Sequence, residues 1–168
     1  MDALTAYLPP SDKGLLPYYL FIVGIVSFGN SVQNLVTLHY TRRIYNGLFV
    51  PNRAPSDASG DSIDKLVPAS ATGKDAEKGQ DQVTPLAARV FGVWTMLAGL
   101  VRIYTSHDVG NRALYQLSII THAVAAVHFS SELLVFKTMH ITGPQLFPLA
   151  AGFGGTVWMV LQYAHYVQ

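Results

Sequence analysis

Apolar residues in this chain gather into four blocks, 14–41, 90–101, 113–131 and 138–168, none of which contains Asp, Glu, Lys or Arg. A helix that crosses a bilayer needs roughly 20 mainly apolar residues. The first and fourth blocks meet that length outright. The second meets it as 86–104, with Arg89 and Arg102 near its ends, and the third as 113–136 once Glu132 is included. The pattern predicts a polar lead over 1–14 and membrane-spanning helices over 15–38, 86–104, 113–136 and 145–166. The intervening 39–85 reads as a loop. Its stretch 51–84 has scattered Gly, Ser, Asp and Lys, Pro51, Pro55 and Pro68, and no aromatic residue. Such a composition buries too little apolar surface to order itself, so 51–84 is expected to be mobile. The fold class is an all-α membrane protein: a four-transmembrane-helix bundle with a long mobile loop between helices 1 and 2.

Composition narrows the function. Of 168 residues, 50% are hydrophobic and 12% charged, against about 25% charged in an average soluble domain. That is too little charge to coat four soluble helices. The formal charge is +1 and no basic patch is interleaved with aromatics, which excludes nucleic acid as a partner. Without cysteine there is no disulfide, thiolate catalysis or cysteine metal site. The first apolar run is too long for a signal peptide and reads as a retained span. Basic residues favour the cytosolic side. Arg42, Arg43, Arg53, Lys65, Lys74 and Lys78 follow the first span and Lys137 follows the third, so both termini are expected in the lumen.

The spans are not uniformly apolar. In the first, Ser27, Asn30, Ser31 and Asn34 share one helical face, with Gln33 beside them. They suit interhelical hydrogen bonding or a polar ligand pocket. In the second, Ala88, Gly92, Thr95 and Gly99 form a small-residue stripe, a close-packing surface within the bundle or against a partner or a second copy. In the third, Ser118, Thr121, Ala125, His128 and Glu132 recur at helical spacing, and His128 and Glu132 lie one turn apart. A carboxylate inside a span must face protein or water. Glu132 is therefore expected to face inward and pair with His128, Arg89 or Arg102, as a structural ion pair or as part of a proton-handling or ligand site.

Chemical motifs do not accompany these groups. The chain has no H-E-x-x-H, G-x-S-x-G, Walker loop or G-x-G-x-x-G. Gly152-Phe153-Gly154-Gly155 lies in an apolar run with no preceding strand, which suits helix packing. The six histidines do not form repeated boxes. No catalytic residue, cofactor or metal ligand is expected.

The strings FGNSVQN at 28–34, AARVFGVWTMLAGLVRIY at 87–104 and NRALYQLSIITHAVAAVHFSSELLVF at 111–136, followed by the apolar fourth block, resemble the ergosterol biosynthetic protein 28 family. The combination of Gly29-Asn30, Arg89 with Phe91-Gly92 and Trp94-Thr95, Arg102, and His128-Phe129 with Ser131-Glu132 carries the resemblance, over roughly 120 residues outside the first tail and the long loop. It implies a multi-pass protein of the endoplasmic reticulum membrane without turnover of its own. Its implied role is a scaffold that tethers the sterol C-4 methyl oxidase, the C-3 dehydrogenase/decarboxylase and the 3-keto reductase. The implied polar interior comprises Asn30, Gln33, Asn34, Arg89, Arg102, His128, Ser131 and Glu132. The long insertion at 53–84 departs from shorter relatives. The competing expectation is an intramembrane sterol-binding protein or sterol-modifying enzyme using His128 and Glu132.

Overall fold

The computed structural model describes residues 7–52, 65–69 and 77–168. A 3-10 turn at Ser11–Lys13 leads into α1 (Leu16–Val36) and the short α2 (His39–Ile44). Strands β1 (Phe49–Pro51) and β2 (Leu66–Pro68) follow, then α3 (Pro85–His107), α4 (Arg112–Leu134), α5 (Leu146–Leu161) and the single turn α6 (Tyr163–Tyr166). The chain is an all-α membrane bundle of four main helices, as its apolar blocks predict. Helices α1, α3 and α4 are each long and apolar enough to cross a membrane.

Local chemistry sets the helix ends. Pro17 and Pro85 occupy first turns, where a missing N–H costs nothing. The Thr84 hydroxyl accepts from the Ala87 N–H at 3.1 Å, and Asn111 Oδ1 accepts from the N–H groups of Ala113 and Leu114. The helix expected over 145–166 is broken. Its first part spans 16 residues, about 24 Å at 1.5 Å per residue and short of a hydrocarbon core about 30 Å thick. At the break, Trp158 Nε1 donates to Gln162 Oε1 at 2.8 Å, and α6 carries the chain one turn further.

Successive main helices run antiparallel, as the two ends of the bundle show. At one end Leu16, Leu20, Val109, Tyr115 and Met159 form a buried cluster. At the other, Ala125, Phe129 and Met139 pack with Tyr45, Phe91, Trp94 and Leu149. Small residues bring the helix pairs together. A Cβ on Gly99 would lie 3.0 Å from the Gly24 carbonyl, and one on Gly92 3.1 Å from Asn34 Cβ, so α1 and α3 touch backbone to backbone. Gly152 sits in the same way against Ala126, joining α5 to α4. Within the 152–155 run Gly152 and Gly155 serve helix packing, as the apolar setting predicts, while Gly154 faces open space.

The segment read as a loop carries some order. β1 and β2 pair antiparallel with Val50 opposite Val67, and Phe49, 5% exposed, also bridges Gln80. Arg42 Nε lies 3.3 Å from Asp81 Oδ2, and Val83 is buried. Within the stretch 51–84 expected to be mobile, 66–68 pairs as a strand and 80–83 makes these contacts with β1 and α2. The parts of that expectation at 53–64 and 70–76 lie outside the described residues.

Candidate functional site

The polar residues of the interior separate into two groups. One lies where α2, the start of α3 and the end of α4 meet. His128 Nδ1 is 3.8 Å from Glu132 Oε1, one turn apart on α4. On its other side, His128 Nε2 shares a 2.7 Å hydrogen bond with the Tyr45 hydroxyl. The Thr138 hydroxyl donates to Glu132 Oε2. These groups form a line, Tyr45–His128–Glu132–Thr138. If the phenol donates, His128 carries its proton on Nδ1, toward the carboxylate. Aromatic rings hold the line in place: Trp94 is edge-on to His128 at 5.2 Å, and Phe129 at 5.1 Å. Tyr45 lies outside the spans, and burial pushes its phenol well above its ordinary titration range, with the Glu132 carboxylate adding to the effect.

This line borders a cavity of about 680 Å³ whose walls include Val90, Phe91, Trp94 and Val124. That volume lies within the usual range for small-molecule sites, roughly 300 to 1,000 Å³. A carboxylate, an imidazole and two hydroxyls at the edge of an apolar cavity can hold a polar oxygen of an otherwise apolar ligand, or pass a proton along the line.

The second group lies deeper. Arg102 is 6% exposed. Its Nη1 donates to Ser27 Oγ at 3.0 Å and its Nη2 to the Thr121 carbonyl at 3.4 Å, while Nε finds no acceptor. Ser27 and Ser31 donate to the carbonyls one turn earlier in α1. Asn34 accepts from the Thr41 hydroxyl, tying α1 to α2. Asn30 lines a cavity of about 190 Å³ with Ser27, Thr95 and Arg102.

Of the three partners expected for Glu132, the structure supplies His128; the two arginine alternatives are corrected. Arg102 lies level with Thr121, three turns along α4 from Glu132, and Arg89 is exposed. Arg89 follows Ala88, which is fully buried, and a step of about 100° around the helix turns it outward. In the small-residue stripe Gly92 and Gly99 pack against α1, the within-bundle alternative, and Ala88 is fully buried. Thr95 donates to the Phe91 carbonyl beside the smaller cavity. Gln33 and Ser131 bond locally, to the carbonyls of Thr37 and His128. Tyr45 and Thr138 escaped the sequence reading. Both lie outside the apolar blocks' interior faces, in segments where no periodicity marks an inward residue. Among the described residues, no three His, Asp or Glu side chains come together so as to hold a metal ion.

The model of the Erg28 like protein family matches residues 16–157. The chain belongs to this family. It is 45% identical to the ergosterol biosynthetic protein 28 of Gibberella zeae, covering all of this chain and 99% of the relative. The protein of that name from Candida albicans is 34% identical over 95% of this chain and 94% of its own length. The one from Saccharomyces cerevisiae is 29% identical, over 95% and 87%. The family match covers all three spans long enough to cross a membrane and most of α5. No solved structure matches the chain.

Proposed function

We propose that this protein works in ergosterol biosynthesis as a non-catalytic scaffold of the endoplasmic reticulum membrane. In that role it holds together the sterol C-4 methyl oxidase, the C-3 dehydrogenase/decarboxylase and the 3-keto reductase, with both of its own termini in the lumen. The observation that carries the reading is family membership along the spans, shared with full-length relatives named for ergosterol biosynthesis. Physical chemistry makes the role reasonable. An apolar intermediate leaves one enzyme by diffusing in the membrane, and tethering raises the effective concentration of the next enzyme without any new chemistry. The outward faces of the bundle supply apolar contact area. Val90, Val93 and Leu97 are exposed along α3, and Val157, Val160 and Leu161 along α5.

A second reading rests on a specific observation: the Tyr45–His128–Glu132–Thr138 line borders a ligand-sized apolar cavity. It makes the chain an intramembrane sterol-binding protein or sterol-modifying enzyme. Three measurements separate the readings. Removing the protein from cells should accumulate C-4 methylated sterols while each pathway enzyme stays active in isolation, and the enzymes should co-purify with it. Turnover of sterol intermediates by the purified chain alone would refute the scaffold reading and make His128 and Glu132 catalytic candidates.

A further inference from the structure

Arg102 places a guanidinium deep in the bundle with no acidic partner among the described residues. Side chains on a helix lean toward its N-terminus. The Arg102 guanidinium accordingly reaches Ser27, half-way along α1. Its two acceptors, a hydroxyl and a carbonyl, are neutral, and Nε has none. A cation taken out of water is costly unless an opposite charge meets it.

A cavity of about 190 Å³ lies beside it, large enough for a small anionic group. Ser27, Asn30 and Arg102 supply polar groups, and Phe91, Phe129 and Ala151 are among the apolar ones. Val26 on α1 and Phe147 on α5 also line it and are 44% and 55% exposed, so the cavity reaches the outer surface of the bundle between those helices. That route leads into lipid. A phospholipid headgroup stays at the interface, whereas this guanidinium lies at the depth of Ser27. A planar guanidinium fork matches a carboxylate in size and geometry.

We propose that the Arg102 cavity binds a membrane-soluble carboxylic acid. The carboxylate pairs with Arg102, and the apolar body passes out between α1 and α5 into the bilayer. The site adjoins the larger cavity, sharing Thr41, Phe91 and Trp94 with it, but Tyr45, His128, Glu132 and Thr138 do not line it, and acid binding there is independent of tethering. A chain unable to bind acids could still hold enzymes together.

Photolabelling of the full-length protein in lipid nanodiscs tests this. The probes are a diazirine-bearing palmitic acid and a diazirine-bearing ring carboxylic acid of the cholanoic type. At least one should label the segments around Val26 or Phe147 saturably, and which one labels distinguishes an acyl from a ring body. The free acid should compete about tenfold or more better than its methyl ester, because only the acid forms a charge-assisted pair. Arg102→Met should lose the labelling and Arg102→Lys retain part of it. If Arg102→Met does not fold, the acid-against-ester comparison on the natural protein decides. Equal competition by the ester, no saturable labelling by either probe, or undiminished labelling of folded Arg102→Met would overturn the proposal.

Discussion

Tyr45 and His128, 83 positions apart, are joined by a 2.7 Å hydrogen bond between the phenol oxygen and Nε2. The bond ties the segment after α2 to the last turns of α4 and fixes which face of the imidazole meets Glu132. Phe91, edge-on to Tyr45, and Phe129, stacked on it, keep the phenol in place.

Tyr45→Phe should cost about 1 kcal/mol at neutral pH, the usual net worth of one hydrogen bond. The sign of the pH dependence follows from the raised titration of this phenol. An unfolded tyrosine titrates near pH 10. The Tyr45 contribution is therefore intact below about pH 10 and is lost as pH rises further, when only the unfolded chain sheds the proton. Thermal unfolding in detergent should show the gap between Tyr45→Phe and the natural protein at pH 8 narrowing by pH 11. A gap that widens with pH would contradict this assignment.

Glu132 accepts from Thr138 and faces His128, with 18% of its side chain exposed. Glu132→Ala leaves both partners unsatisfied and should destabilise by about 1 to 3 kcal/mol. Glu132→Gln keeps an acceptor for Thr138 and should cost less. Equal melting temperatures for Glu132→Ala and the natural protein would show that the contacts contribute nothing.

Gly99→Leu should reduce the yield of folded protein, by forcing α1 and α3 apart at the Gly24 contact. Overpacking of this kind costs typically about 1 to 3 kcal/mol. Leu97→Ala, on the exposed face of the same helix, should leave the melting temperature nearly unchanged. Size-exclusion profiles of the two variants check this. A monodisperse, fully stable Gly99→Leu would argue that the stripe is not the helix seam.

Shortening the chain within 53–64 should be tolerated, because that stretch is polar and proline-containing and closure entropy changes slowly with loop length. Extending the deletion through 84 should not be. It would remove the β2 partner of β1, the Asp81 partner of Arg42 and the buried Val83. Monodisperse protein from the long deletion would show that these contacts are dispensable.

Much of the architecture was legible in the chain itself. Two charge-free blocks long enough to span a bilayer, and two more that reach that length once flanking ionisable residues are included, leave few alternatives to membrane helices, and the 27–34 face and the 88–99 stripe follow from helical periodicity, which is a local property. Periodicity also placed His128 and Glu132 one turn apart. What it could not supply was the neighbour. Which helix covers Gly92 and Gly99, and which side chain meets Glu132, depends on how antiparallel helices slide along one another. That register put Arg102 beside Ser27 and Thr121, far from Glu132. Tyr45, Thr138 and Asp81 sit in connecting segments with no repeating pattern, so their inward roles were set only when the chain folded back on the bundle.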